Sequence, residues 1–166
     1  NNMQANNFPL VTVITPAYNQ GIFLRETIES VLAQDYPNIE LYVINDGSTD
    51  NTEEILKEYT GRIKWETQKN MGQTPTINKG WNLTNGEIIT WLNSDDTYLP
   101  GAVRKGVEYL LSHPETGVVY GDTLVTESDG SPREKSKDQS SFDYFLFVKN
   151  CDNCIVQPSS FIRRDV

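Results

Sequence analysis

Leu10 to Thr15 is an unbroken β-prone run, and the period of the apolar positions changes immediately after it. Leu24, Ile28, Val31 and Leu32 recur at helical spacing until Asp35-Tyr36-Pro37-Asn38 breaks the pattern. Ile39 to Ile44 reads as a second strand and Asn45-Asp46-Gly47-Ser48 as its turn. Asp50 with Glu53 has the spacing of a capping box ahead of Ile55, Leu56 and Tyr59. Ile63 to Trp65 is a short third strand, and Thr74-Pro75 reads as N-cap and first residue of a helix carrying Ile77 and Trp81. Gly86 closes that helix before a strand from Glu87 to Leu92. From Pro100 a further helix sets Val103, Val107, Leu110 and Leu111 on one face and stops at His113-Pro114. Val118 to Tyr120 is another strand, followed by a hairpin around Ser128-Asp129-Gly130 and a polar surface loop from Ser131 to Ser141. This alternation predicts an α/β domain, a mainly parallel sheet with helices on both faces.

In such sheets ligands sit at the carboxyl ends of the strands. Three of those ends are polar and turn-forming: Thr15 to Asn19, Asp46 to Ser48, and Ser94 to Asp96. The third follows the apolar run into Trp91-Leu92-Asn93-Ser94-Asp95-Asp96, which ends in two adjacent carboxylates. Such a pair can hold a hard divalent ion that also bridges phosphate, or it can merely solvate a loop and cap the next helix. Asp46-Gly47 taken alone is equally a tight turn. No Gly-x-Gly-x-x-Gly or Walker-type loop is present, which leaves a dinucleotide fold or P-loop unsupported.

Composition narrows the classes. With 166 residues, 37% of them hydrophobic, the chain suffices for one domain or most of a larger one. The 14 basic and 23 acidic residues give a net charge of −9, which argues against nucleic acid or anionic lipid as a partner. There is no run long enough to span a bilayer, and Asn1 to Asn7 lacks the regions of a secretory signal, so a soluble domain is expected. Cys151 and Cys154 make a single C-x-x-C, read as two reduced thiols. Trp65, Trp81 and Trp91 are expected in the core.

The stretches VTVITPAYNQGIFLRETIESVLAQDYPNIELYVINDGSTDNT, NMGQTPTINKGW, GEIITWLNSDDTYLPGA and VVYGD together resemble the inverting glycosyltransferase family 2, whose catalytic domain has the GT-A fold. The resemblance covers most of residues 9 to 122 in the family's order and implies the nucleotide-binding portion of such a domain. Residues 1–8 are then a disordered or tag-like start and 9–166 the GT-A domain, its nucleotide-sugar half running to about residue 122 and a partial acceptor half following.

The resemblance implies a nucleoside-diphosphate sugar donor, a UDP-sugar being the expected one, with Mn²⁺ or Mg²⁺ as cofactor and a saccharide or lipid-linked acceptor. Thr15, Pro16, Ala17, Tyr18 and Asn19 would bound the nucleoside pocket, and Asp46 would accept a hydrogen bond from the base. Gly72 and Asn78 would belong to the loop and helix closing over the nucleotide. Ser94 and Asp95 would lie near the ribose, and Asp96 would be the metal ligand. Ser94 replaces the first carboxylate of a strict D-x-D, which puts metal binding mainly on Asp96. Pro75 and Thr76 stand where close relatives often carry an acidic residue and Ala. Lys69 and Lys79 are candidates to touch a phosphate, although a solvated helix surface is the simpler reading of each. Asp122 is open between an acceptor-site role and a turn.

The family's general base is a carboxylate of the acceptor half, expected beyond Val166, so this chain is expected to fold but to turn over poorly. Phe142 to Val148 would pack against that further part, and its exposure would drive self-association. A cytoplasmic location is implied, with membrane association through the acceptor and a role in cell-surface polysaccharide biosynthesis. The alternative is a non-catalytic nucleotide-sugar binding module.

Overall fold

Every residue of β1 (Val11–Ala17) is buried, as a strand with cover on both faces must be. A computed structural model of the chain describes residues 8–126, 131 and 157–166. In it β1 is central in a six-stranded sheet ordered β3 (Lys64–Thr67), β2 (Ile39–Asn45), β1, β4 (Ile88–Trp91), β6 (Ser160–Arg163), β5 (Val118–Tyr120). β1, β2, β3 and β4 run parallel. β6 is antiparallel to both β4 and β5. The mainly parallel α/β sheet expected from the alternation is therefore present, with an antiparallel strand inserted near one edge.

Three helices share one face. Leu24 and Ile28 of α1 (Gly21–Leu32), Ile55 and Leu56 of α2 (Thr52–Glu58), and Val103, Val107 and Leu110 of α4 (Ala102–Ser112) pack with Val11, Val13, Leu41 and Val43 of the sheet. On the other face α3 (Gln73–Asn82) brings Trp81 against a smaller cluster of Ile14, Tyr42, Ile44 and Trp91. Trp81 and Trp91 meet edge-on at 5.6 Å, so both serve the core as expected. Phe8 packs edge-on against Tyr36 at 5.5 Å, and the Tyr36 hydroxyl donates to the Pro9 carbonyl.

Two helix starts differ from expectation. Asp50 accepts from the backbone and hydroxyl of Thr52 and from Gly21 N, while Glu53 pairs with Lys57. Asp50 thus ties the starts of α1 and α2 together, and no capping box forms because Lys57, one turn on, offers Glu53 a charged partner. α3 begins at Gln73 behind Gly72, whose φ of 88° turns the chain in. Thr74 and Pro75 lie inside its first turn, where a missing N–H costs nothing. α4 likewise starts at Ala102, after Gly101 rather than at Pro100.

The hairpin at Ser128 to Gly130, the loop to Ser141 apart from Ser131, the apolar stretch Phe142 to Val148 and both cysteines lie outside the described residues. Among the described residues no helix is long and apolar enough to cross a membrane.

Candidate functional site

The sheet opens where its strand order reverses, between β1 and β4. Ile14 O accepts from Leu92 N at 2.9 Å. The next rung on that side would need an N–H at Pro16, which has none, so the two strands part there. On its other side β1 stays zipped to β2 as far as Ala17 O, which accepts from Asp46 N at 2.8 Å. The crevice this leaves is the position at which open α/β sheets bind ligands. It forms a cleft of about 320 Å³ walled by Pro16, Ala17, Tyr18, Asp46, Gly72 and Asp95, with Ser94, Gln73 and Asn93 also facing it.

Asp46 is 3% exposed and receives donors on both oxygens. Oδ1 accepts from Gln68 Nε2 at 2.8 Å and from Met71 N at 2.9 Å, and Oδ2 accepts from Gly72 N at 2.9 Å. Burial pushes its carboxyl up, and these donors together with Thr76 outweigh burial, holding it below the usual carboxylate range. The loop from Asn70 to Gly72 is therefore gathered around one anion. Gly47, at φ 78°, lets that loop approach, since a Cβ there would lie 2.9 Å from Asn70 N. At Gly72 the space is open and only the positive φ is demanding. Gly72→Ala is expected to cost about 1 kcal/mol of stability by straining the loop that donates to Asp46, as thermal melts would show.

On the β4 side a network of amides holds the acidic edge. Asn93 Oδ1 accepts from Gln73 Nε2 at 2.7 Å, and its Nδ2 donates to Asp96 Oδ2 at 3.2 Å and to Gln157 Oε1 at 2.8 Å. Gln157 Nε2 in turn donates to Trp91 O at 2.6 Å. Burial first, and the neighbouring Asp95 second, push the Asp96 carboxyl above its usual range despite the Asn93 bond. A half-buried anion beside another anion is a site a divalent cation would neutralise. Among the described residues no three His, Cys, Asp or Glu side chains cluster for a metal. Mg²⁺ is commonly held by one or two carboxylates plus substrate phosphates, so Asp95 and Asp96 fit it. Asp95 also faces a second cleft, of about 490 Å³, bounded by Asp96, Lys105, Tyr109, Tyr120, Asp122 and Phe161.

Of the residues singled out in the sequence, Pro16, Ala17, Tyr18, Asp46, Gly72, Ser94 and Asp95 meet at the first cleft. Asp96 faces the second cleft only. Thr15 is fully buried behind the wall with its hydroxyl unpartnered. Asn19, at φ 54°, clasps the next loop by accepting from Thr49 N at 2.8 Å and donating its own N–H to Ser48 Oγ. Asn78 is on the exposed side of α3, away from the cleft. Lys79 pairs with Glu66 and Gln68. Gln68, Gln73, Asn93 and Gln157 were not anticipated. Gln73 stands beside Gly72 in a stretch already marked by the resemblance, whereas Gln157 is 64 residues from its partner Asn93, a distance at which no local pattern could reveal the pairing.

The profile of the family described as Glycosyl transferase family 2 matches residues 12–165. The chain belongs to glycosyl transferase family 2. An uncharacterised glycosyltransferase of Rickettsia felis is 39% identical over 129 residues, covering 75% of this chain and 21% of that protein. Staphylococcus aureus TarS residues 1–349, solved with UDP-GlcNAc, superposes with a TM-score of 0.69 at 20% identity, covering 93% of this chain and 45% of that one. The mannosyltransferase PcManGT of Pyrobaculum calidifontis, solved with GDP-Man and Mn²⁺, gives 0.67 at 19% identity, covering 95% and 45%. These likenesses show the GT-A type of fold. The family 2 chain thus spans less than half the length of each of these proteins.

Proposed function

We propose that the first cleft binds the nucleoside diphosphate of a sugar donor, a UDP-sugar in particular, and that the whole protein transfers the sugar with inversion to a hydroxyl of a saccharide or lipid-linked acceptor. The observation that carries this is the acidic edge shared by two clefts: Asp95 faces both, so a sugar leaving the first would be presented to the second. That TarS was solved with UDP-GlcNAc and PcManGT with GDP-Man supports a nucleotide-sugar donor.

Pro16, Ala17 and Tyr18 wall the nucleoside. Asp46 offers the base a carboxylate acceptor, an ionised group held in the cleft wall by Gln68, Met71, Gly72 and Thr76. Ser94 and Asp95 lie beside the ribose, and Asp96 holds the metal. Thr15, Asn19 and Asn78 act behind or beside the pocket, by packing, by clasping its loop and by carrying the helix that closes it. Mn²⁺ or Mg²⁺, when bound, would offset the charge that develops on the departing diphosphate. Inversion requires a single displacement, with a carboxylate base on the acceptor side; Asp122 lines the second cleft, and the family's base is expected beyond Val166. A cytoplasmic site facing a membrane-borne acceptor, in the making of cell-surface polysaccharide, accords with this chemistry.

Calorimetry with UDP is the direct test. Binding is expected to tighten clearly on addition of Mn²⁺ and to weaken in excess chelator. Equal affinity under both conditions, or a preference for NAD over UDP, would overturn the donor reading. A protein that binds the UDP-sugar but neither transfers nor hydrolyses it at its full natural length would be the binding module instead.

A further inference from the structure

Lys79 lies outside the donor cleft, yet it reaches Asp46 through one intermediary. Its ammonium pairs with Glu66 and donates to Gln68 Oε1 at 2.8 Å. The Gln68 amide spends both hydrogens, one on Asp46 Oδ1 at 2.8 Å and one on Thr76 Oγ1 at 2.9 Å. Burial raises the Glu66 carboxyl, and Lys79 and Tyr42 outweigh burial and hold it ionised. A continuous polar chain therefore runs from Glu66 on β3 through Lys79 and Gln68 to Asp46.

The chain of bonds has one orientation. Turning the Gln68 amide over would set its NH₂ against the Lys79 ammonium and its carbonyl against the Asp46 carboxylate, two repulsive contacts in place of two attractive ones. Thr76, fully buried, receives the second amide hydrogen and closes the remaining freedom. Asp46 is in consequence surrounded by donors alone, which favour its ionised, acceptor-only form.

We propose that Lys79 is a positioning residue that, through Gln68, keeps Asp46 an acceptor-only group and thereby selects a base offering a ring N–H beside a carbonyl, as uracil does, against cytosine. At the corresponding ring position cytosine has a bare acceptor, which would face the carboxylate with no hydrogen between them. Uracil and cytosine are nearly the same size, so the choice between them rests on this donor and acceptor pattern rather than on fit. The proposal rests on the reading that Asp46 meets the base, and Lys79 itself touches no ligand.

NMR titrations of the chain with uridine and with cytidine, without metal, test it. The parent is expected to prefer uridine by about tenfold, the scale of one hydrogen bond to a charged group, with an affinity that is flat between pH 7 and 5.5. Lys79→Met is expected to cut the preference to threefold or less, and Lys79→Arg, which keeps a cationic donor, to restore most of it. Gln68→Glu sets a second carboxylate against Asp46 and raises its pKa, so uridine affinity in that variant should fall as pH drops from 7 to 5.5. Should Lys79→Met fail to fold, as circular dichroism would reveal, the Arg and Glu variants carry the test. A parent-like preference in Lys79→Met and a flat profile in Gln68→Glu, with the preference lost in Asp46→Asn, would reduce the chain of bonds to scaffolding. A preference that survives Asp46→Asn would instead overturn the placement of Asp46 at the base.

Discussion

Asp96→Asn is expected to bind uridine as the parent does while losing the gain in UDP affinity that Mn²⁺ confers. The amide keeps the shape of the side chain but offers a divalent ion one neutral oxygen in place of a carboxylate, and hard cations discriminate strongly between the two. The loss should be on the order of 10- to 100-fold in UDP affinity at saturating Mn²⁺, the range found when even a supporting group of a metal site is removed. Folding should not suffer. In the parent, Asp96 is disfavoured as an anion by burial and by Asp95, and relieving one negative charge removes that repulsion. Thermal melts without metal are therefore expected to show the variant at or slightly above the parent, and added Mn²⁺ with UDP to raise only the parent's midpoint. A variant that kept the full Mn²⁺ effect would assign the metal to Asp95.

What the sequence disclosed and what it withheld divide along a physical line. Strands such as Val11–Ala17 and Ile39–Asn45 announce themselves because a buried parallel strand must be apolar on both faces, and α4 does so because its buried Val103, Val107 and Leu110 repeat at the helical period. The carboxyl-end loops could be placed for the same reason, as the breaks between readable elements. Helix starts were less legible. Asp50 and Glu53 have capping-box spacing, yet Lys57 and Gly21 compete for those carboxylates, and propensity cannot rank such partners. β6 lies between β4 and β5 in the sheet although it follows both in the chain, a return that local periodicity does not encode.

The site shows the same division. Asp46, Asp95 and Asp96 stood out as carboxylates at strand ends and drew their expected roles from the resemblance, whereas the amides that orient them could not be named. Gln68, Gln73, Asn93 and Gln157 are ordinary polar residues in sequence, and only the fold reveals that Asn93 joins α3, the acidic edge and the turn that leads into β6. Lys79 is the clearest case: as a residue on a helix it reads as solvated surface or as a phosphate contact, and its actual partners, Glu66 and Gln68, come from the strand β3 and the loop that leaves it.

Replacing Asp46 should damage stability and recognition together, in contrast to Asp96. In Asp46→Ala, Met71 N, Gly72 N and Gln68 Nε2 lose their common acceptor. With each orphaned donor costing about 1 to 3 kcal/mol when buried, and less where water reaches exposed Met71, a total of about 2 to 4 kcal/mol is expected. Asp46→Asn should lose less, because its carbonyl still serves part of the loop while its NH₂ opposes the Gly72 amide. The pH dependence follows from the sign of the shift. The folded-state carboxyl lies below its ordinary value of about 3.9, so the unfolded chain binds the proton more readily. The stabilisation it gives is complete above the unfolded pKa and is lost as pH falls through the folded one. Urea unfolding of the parent and Asp46→Asn at a series of pH values should thus give curves separated above about pH 5 that converge in acid. Uridine binding should weaken in the Asn variant while the Mn²⁺ dependence of UDP binding persists. Equal loss of uridine binding in the Asp46 and Asp96 variants would mean that the two carboxylates do not divide base and metal between them.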